Sequence, residues 1–172
     1  IEKKLKIGDK VLVYTNPQPK NRIGYVRDYY IYNDKKEECV KGSSFWCLVS
    51  FSKRTFVRPS FDYQGEFVDK KAYENDFERL KPFAVSQNPK YVCKILNTHI
   101  DKNGHTNNIN YADFIINGLD EIPNIEEFEI KFVSETLKDD TLCIGYEKQD
   151  NIIYACGEKD NKTSFIAKIT TR

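Results

Sequence analysis

The chain has 172 residues, enough to bury a sizeable core in one large domain or two small ones. Its 27 Lys and Arg residues balance 26 Asp and Glu residues, and the net charge of +1 argues against broad electrostatic attraction to nucleic acid. No apolar run approaches the ~20 residues that span a bilayer, and the start, Ile1-Glu2-Lys3-Lys4, lacks the apolar region of a signal peptide.

The cysteines and the absence of Met bear on the compartment and the extent of the chain. Five cysteines without CxxC spacing fit a disulfide framework or a zinc site poorly and favour a reducing cytoplasm. Each lies in an apolar, strand-like run, where a small buried thiol is the default expectation. Because a complete reading frame begins with Met and this chain has none, we expect a fragment, a processed form or a product without its start.

The first part of the chain is predicted to be strands joined by turns, since it is rich in aromatic and β-branched residues. The predicted strands are residues 10–15, 22–32, 39–51 and 55–58. Residues 60–80 are polar and mixed, with at most one short helix near residues 70–80. Residues 81–89 then carry two prolines and lack periodicity, which predicts a linker, placed at residues 83–90 between the two units.

The second part is predicted to be a strand, one apolar helix and a meander of antiparallel strands. The predicted strands are residues 91–97, 127–135, 141–147, 151–156 and 163–170. The helix is predicted from about residue 107 to 119, and Gly118 and Pro123 suit its end. Its predicted apolar stripe is Ile109, Ala112, Ile115, Ile116 and Leu119, widened by Phe114.

A strand, a buried helix and antiparallel strands make the hot-dog arrangement, a curved sheet wrapped round a central helix. The first part repeats the strand meander without a comparable helix, so the sequence predicts an α+β tandem, or double, hot-dog. We expect an incomplete first unit over residues 1–82, without its opening strand and helix. The second unit, residues 91–172, carries the polar motif that precedes the helix.

This polar motif contains the residue types needed for carbonyl chemistry. Asp101, Asn103 and His105 alternate, and alternate side chains of an extended segment point the same way. The start of the following helix offers free backbone N–H groups and a dipole that favour developing negative charge. Together these parts suit attack on a carbonyl. The alternative for Asp101 and Asn103 is a turn with helix capping, and capping is the favoured role of Asn107 and Asn108.

Two sets of motifs resemble one known family. The specific pattern is Asp-x-Asn-x-His-x-Asn-Asn-x-x-Tyr, formed here by Asp101, Asn103, His105, Asn107, Asn108 and Tyr111. Weaker matches in the first part follow the same order as in the family: Gly8-Asp9-Lys10-Val11, Thr15-Asn16-Pro17, Arg27-Asp28-Tyr29 and residues 43–49. With these motifs the chain resembles, over nearly its whole length, the acyl-ACP thioesterases, bacterial relatives of the plant plastid enzymes that release fatty acids from acyl carrier protein.

The resemblance implies a set of catalytic residues in the second unit. The catalytic Asp, Asn and His of the family correspond to Asp101, Asn103 and His105, and a Glu from a later strand corresponds to Glu135. Plant members have a Cys directly after that Glu. Thr136 stands there in this chain, which excludes a cysteine nucleophile at that position.

The roles of these residues form a hypothesis for thioester hydrolysis. Glu135 acts as general base or nucleophile together with His105, Asn103 orients the water or the carbonyl, and Asp101 holds and polarises its neighbours. Backbone N–H groups at the helix start supply the oxyanion contact, and the candidates are Gly104, Thr106 and Asn107. Related single hot-dog thioesterases place the working carboxylate at the Asp101 position, so the two acids compete for that role.

The implied activity is hydrolysis of fatty acyl-ACP in the cytoplasm, without a metal or redox cofactor and without stable membrane association. The partner is acyl carrier protein bearing a fatty acyl-phosphopantetheine. Arg27, Arg54 and Arg58 could meet this acidic carrier, although a solvated strand face is the commoner explanation for scattered arginines. A double hot-dog can bury its own sheet edges but many associate further, so a homodimer is an open alternative.

Three other functions remain as alternatives. The first is an acyl-CoA thioesterase of the same fold, and the second is a non-catalytic acyl-ACP-binding module. A hot-dog hydratase fits less well, because those enzymes use Asp-x-Asn-Pro-x-His, whereas Gly104 directly precedes His105 here.

Overall fold

The computed structural model describes residues 1–50, 52–53, 55–74, 77, 79–85 and 88–172. Arg54 and residues 86–87 of the predicted linker lie outside these described residues. The chain divides into two compact units, Ile1–Phe77 and Glu78–Arg172, while the predicted unit boundaries stay a prediction. Among the described residues, no helix has the length and apolar character needed to cross a membrane.

The first unit is built from antiparallel strands. Those described are β1 (Val11–Pro17), β2 (Tyr25–Asn33), β3 (Glu38–Trp46), β4 (Leu48–Val49) and β5 (Phe56–Val57). The first three form a sheet in the order β1-β2-β3, and β4 pairs with β5. These strands overlap the predicted ranges, and one predicted strand is divided between β3 and β4. β1 runs two residues beyond its predicted end, to Pro17, while β2 and β3 each exceed their predicted bounds by one residue. In the region 70–80, the described residues 70–74, 77, 79 and 80 contain no helix.

Asp28 explains part of the motif Arg27-Asp28-Tyr29 in structural terms. Its side chain lies in the first sheet and is only 2% exposed. Its carboxylate accepts hydrogen bonds from the Ser43 hydroxyl at 2.6 Å, the Gln18 amide at 2.9 Å and the backbone N–H of Ala72 at 3.1 Å. A buried carboxylate needs such donors, and here they fasten the segment around Ala72 to the sheet.

The second unit is one antiparallel sheet with one described α-helix, consistent with the predicted α+β class. Its elements are β6 (Tyr91–Lys94), a 3-10 helix (Asn97–His99), α1 (Asn108–Asn117), β7 (Ile125–Phe132), β8 (Thr141–Gln149), β9 (Ile152–Lys159) and β10 (Lys162–Thr171). The sheet order is β6-β8-β9-β10-β7. Asp160 and Asn161 have φ of 50° and 61°, which suits the two-residue turn between β9 and β10.

Helix α1 packs one face on this sheet. Tyr111, Phe114 and Ile115 are buried, at the spacing i, i+3, i+4. The sheet contributes Leu142, Ile144, Ala155, Phe165, Ala167 and Ile169 to the same core. The predicted stripe is therefore right at Ile115 and wrong at Ile109, which is 70% exposed. Ile109 precedes Tyr111 by two residues, or about 200° of helical rotation, so it lies on the opposite face.

Glycine is needed at position 118, the C-cap of α1, because of close approach and not because of a left-handed backbone. Its φ is −90°, which any residue can adopt. A Cβ at this position would collide with the hydroxyl of Tyr146 and lie 2.6 Å from the Cβ of Tyr91. A residue without a Cβ is therefore needed where the helix ends, and the helix stops at Asn117, two residues before its predicted end.

The other face of the second sheet is also covered. Leu80 and Val85 are buried there with Cys156 and Ile166. Val85 lies within the predicted linker, and it packs as part of the second unit.

Candidate active site

The motif segment forms a turn. The carboxylate of Asp101 accepts the backbone N–H of Asn103 at 2.8 Å and that of His105 at 3.3 Å. Gly104 has a φ of 81°, in the left-handed region that favours glycine. The prediction that alternation in an extended segment points the three side chains the same way is wrong, because the short Asp101 side chain captures local N–H groups and bends the backbone.

These hydrogen bonds keep Asp101 in its charged form. The N–H of Asn103 makes the largest contribution to lowering the pKa of the Asp101 carboxyl, and the N–H of His105 and the Asn103 side chain lower it further. Partial desolvation opposes them. The Asn103 amide donates to the same carboxylate at 3.2 Å, so Asn103 faces Asp101.

His105 and Glu135 meet across the site. The Nε2 atom of His105 lies 3.0 Å from the Oε2 atom of Glu135, and the two side chains are 41% and 46% exposed. Glu135 does not lie on a strand as predicted, since β7 ends at Phe132. A half-exposed pair at this distance combines hydrogen-bonding contact with access for a substrate.

Backbone hydrogen bonds hold the two segments together. The N–H of Thr106, next to His105, donates to the carbonyl of Thr136, next to Glu135, at 2.9 Å. On the other side of Glu135, the N–H of Ser134 donates to the carbonyl of Ser164 in β10 at 3.1 Å. Glu135 is thus flanked on both sides by residues that are tied to the fold.

The N–H groups predicted to bind an oxyanion already have protein acceptors. Gly104 donates to the carbonyl of Asp101 at 3.1 Å and Asn107 to that of His99 at 2.8 Å. Thr106 donates to Thr136, as described above. Their predicted oxyanion role stays a prediction, and these bonds weigh against it.

The start of α1 still leaves one N–H available. Asn107 is the N-cap, and its side chain accepts the N–H of Ile109 at 3.2 Å, so the predicted capping role is right for Asn107. It is wrong for Asn108, which is the first residue of the helix. The backbone N–H of Asn108, the first helical residue, has no acceptor in the part of the chain that the structure describes. Asn108 also lines the cleft beside His105.

A cleft of about 200 Å³ opens at the contact between His105 and Glu135. Tyr111, Phe132 and Val133 form its apolar wall. Asp101, Asn103, Gly104 and Asn107 do not belong to its lining. The structure therefore brings two of the four predicted catalytic side chains to one cleft and places the other two in the adjoining turn.

Sequence reasoning missed the apolar wall and the buried Thr136. Tyr111 belongs to the quoted motif, yet nothing in the motif signals that its ring lines a cleft. Phe132 and Val133 end a strand, where apolar residues are ordinary. Within the described residues, no group of His, Cys, Asp and Glu side chains could hold a metal ion.

Part of the chain matches the model of a known protein family. Residues 1–66 match the family model of the acyl-ACP thioesterase N-terminal domain. No curated protein sequence matches the chain significantly.

Two solved structures are similar over almost the whole chain. An acyl-ACP thioesterase from Bacteroides thetaiotaomicron VPI-5482 has a TM-score of 0.82 and 19% identity, over 95% of this chain and 69% of its own. The 12:0-ACP thioesterase from Umbellularia californica has a TM-score of 0.80 and 19% identity, over 96% of this chain and 68% of its own. At such identities the likeness establishes the fold alone. Together with the match over residues 1–66, it confirms the resemblance to the acyl-ACP thioesterase family.

Proposed function

We propose that the chain hydrolyses the thioester of fatty acyl-ACP, releasing a free fatty acid and holo-ACP, on a double hot-dog fold. The observation that carries the proposal is the 3.0 Å contact between His105 and Glu135 at an open cleft with an apolar wall. The family match over residues 1–66 and the shared fold support the substrate class. A homodimer stays a separate prediction, and sedimentation analysis would test it.

The two side chains divide the work of a general base. In the proposed mechanism the carboxylate of Glu135, 3.0 Å from Nε2 of His105, accepts the Nε2–H and so fixes the imidazole tautomer. This tautomer leaves Nδ1 as the acceptor for a proton from water. Glu135 thereby stabilises the imidazolium that forms, and His105 is the group that takes the proton.

The reaction then has two proton transfers on one imidazole. Nδ1 of His105 removes a proton from water while the water oxygen attacks the thioester carbonyl carbon. The tetrahedral intermediate collapses, the C–S bond breaks, and the imidazolium returns the proton to the departing thiolate. The products are the fatty acid and the free thiol of the carrier, and His105 is neutral again.

Of the two acids, Glu135 fits the role of the catalytic carboxylate better than Asp101 does. Glu135 contacts His105 and lines the cleft. The Asp101 carboxylate accepts hydrogen bonds from two backbone N–H groups and from the Asn103 amide, so its oxygen atoms are used in hydrogen bonds within the turn. We assign Asp101 and Asn103 to holding His105 in place.

Oxyanion stabilisation requires a donor that faces the cleft. We propose the backbone N–H of Asn108 for this role, since Asn108 lines the cleft and its N–H stands at the positive end of α1 without an acceptor in the described part of the chain. The apolar wall formed by Tyr111, Phe132 and Val133 suits the first methylene groups of an acyl chain.

The test is fatty acid release from acyl-ACPs of medium and long chain, with the matching acyl-CoAs in parallel. Free fatty acid is measured in place of thiol because the exposed Cys47 would react with a thiol reagent. His105→Ala should lower release by at least about 100-fold. His99→Ala is the matched control, since His99 is the second of only two histidines, and its ring packs on Phe114 at 4.9 Å.

Each outcome separates the alternatives. Release from acyl-ACP that disappears only in His105→Ala supports the proposal. Faster release from acyl-CoA than from acyl-ACP would make the chain an acyl-CoA thioesterase. Binding of acyl-ACP without release from either carrier would overturn hydrolysis in favour of a binding module.

A further inference from the structure

Three hydroxyl groups form a buried chain beneath the cleft. The hydroxyl of Tyr111 lies 2.8 Å from Oγ1 of Thr136, which donates to Oγ1 of Thr106 at 2.7 Å. The Thr106 hydroxyl donates in turn to the carbonyl oxygen of Thr136 at 3.0 Å. Tyr111, Thr136 and Thr106 are 3%, 0% and 4% exposed.

The direction of every hydrogen bond in this chain is fixed. Each hydroxyl has one proton to donate. Thr136 uses its proton toward Thr106, and Thr106 uses its own toward a carbonyl that can only accept. Tyr111 must therefore donate to Thr136. The hydroxyl chain therefore donates in one direction only and ends on a backbone carbonyl. Its three hydroxyl groups have a single hydrogen-bonded arrangement.

The hydroxyl chain joins the segments that present the two catalytic side chains. Thr106 directly follows His105, and Thr136 directly follows Glu135. Tyr111 fixes one end of the hydroxyl chain in the core, because its ring packs edge-to-face with the ring of Phe165 at 5.5 Å. A movement of either segment would break a buried hydrogen bond, which is costly away from water.

The contact between His105 and Glu135 cannot hold itself in place. Both side chains are nearly half exposed, and ion pairs at such positions contribute little because water and salt screen them. The buried hydroxyl groups next to them are shielded from water, so their hydrogen bonds can hold both segments in position.

We propose that Thr136, Thr106 and Tyr111 are positioning residues, whose hydroxyl chain keeps Nε2 of His105 in contact with Oε2 of Glu135. This inference rests on the proposed function for its catalytic readout. The other interpretation is that the hydroxyls merely satisfy one another in the core and affect stability alone. The two interpretations differ in what happens to turnover and to the His105 imidazole.

The first experiment measures kcat and KM for three variants with acyl-ACP. Thr136→Val keeps the shape but removes the hydroxyl, and we expect kcat to fall about tenfold or more with KM changed less than about twofold. Thr136→Ser restores the hydroxyl and should recover most of the lost kcat. Tyr111→Phe should lower kcat in the same direction.

The matched control is Tyr146→Phe. Tyr146 also donates a partly buried phenol hydrogen bond, to the carbonyl of Ile115 at 2.7 Å, but at the other end of α1. We expect it to keep its kcat even where its unfolding temperature falls. An equal loss of kcat in Tyr111→Phe and Tyr146→Phe would mean that the loss follows from destabilisation alone, and it would overturn the proposal.

A second measurement does not need hydrolysis. The chain has only two histidines, so the imidazole nitrogen resonances of His105 and His99 can be followed separately. At fixed pH, Thr136→Val should move the His105 resonances toward those of Glu135→Gln, leave those of His99 in place, and be reversed in Thr136→Ser. If Thr136→Val does not fold, Tyr111→Phe takes its place.

Unmoved His105 resonances in a folded variant would overturn the positioning role. If the unaltered protein releases no fatty acid while the His105 resonances still respond to Thr136→Val, the proposed function fails and the positioning role stands. A Thr136→Ser variant as impaired as Thr136→Val would contradict a role for the hydroxyl.

Discussion

The backbone N–H of Asp101 donates to the carbonyl of His105 at 2.8 Å, while the carboxylate of Asp101 accepts the N–H of His105 at 3.3 Å. These reciprocal bonds close the turn that presents His105 to Glu135. Asp101 therefore stabilises this turn with both its backbone and its carboxylate, and it does not line the cleft.

Replacement of Asp101 distinguishes a turn residue from a working carboxylate. Asp101→Asn keeps an oxygen that can accept the N–H groups of Asn103 and His105, so we expect turnover to fall no more than about tenfold. Asp101→Ala removes the acceptor, and loss of position should cost about 100-fold. Steady-state kinetics with acyl-ACP measures both. Equal and complete loss in the two variants would instead make Asp101 the working carboxylate.

Asp101 should also make the thermal stability of the protein depend on pH. The N–H groups around it lower the pKa of its carboxyl below the ordinary value of about 3.9. A carboxyl whose pKa is lower in the folded state than in the unfolded state stabilises the fold at pH values above its unfolded-state pKa. This stabilisation is lost as the pH falls through the folded-state pKa. We expect the unaltered protein to unfold at a higher temperature than Asp101→Asn at pH 7, with the gap closing below about pH 4. A gap that is unchanged at pH 3 would contradict this effect.

Local chemistry made much of the fold predictable. Runs of β-branched and aromatic residues mark the strands, and the Lys159-Asp160-Asn161 turn has the positive φ angles that its residue types tolerate. The identities of the motif residues indicate His105 as a candidate, whereas Glu135 becomes a candidate only through the family resemblance. Their contact joins residues far apart in the sequence, and no local pattern records it.

Other features depended on tertiary structure. Ile109 and Tyr111 are both apolar enough to face the core, and only packing on the sheet decides that Tyr111 is the buried one. The alternation of Asp101, Asn103 and His105 predicts an extended segment, whereas the capture of N–H groups by Asp101 makes a turn. Thr136 in the sequence is an ordinary polar residue, and its burial becomes visible only with Thr106 and Tyr111 beside it.

The end of α1 provides a packing prediction. Gly118→Ala places a methyl group against the Tyr146 hydroxyl and the Tyr91 Cβ, and overpacking of this kind costs about 1–3 kcal/mol. Denaturant unfolding should show this loss. In the Tyr146→Phe background the closest contact is absent, so the same Gly118→Ala change should cost less. Equal losses in the two backgrounds would mean that the Tyr146 hydroxyl is not the obstacle.

The cysteines should differ in reactivity. Burial raises the pKa of the Cys93 thiol to about 11, and the neighbouring Cys143 adds to this. At pH 8 its thiolate fraction is then on the order of one in a thousand, whereas Cys47 is exposed. Timed alkylation of the native protein with peptide mass mapping should label Cys47 well before Cys93. Cys93 labelled as fast as Cys47 would contradict the burial effect.

The most direct test of the His105–Glu135 unit is a double-mutant cycle on the turnover of acyl-ACP, using His105→Ala, Glu135→Gln and the double variant. Glu127→Gln, an exposed carboxylate in β7, serves as the matched control. Because the two groups act on one proton, each single change should lower kcat by at least about 100-fold, and the double variant should be hardly worse than either. Near-normal turnover in either single variant, or losses that multiply in the double variant, would contradict a shared role.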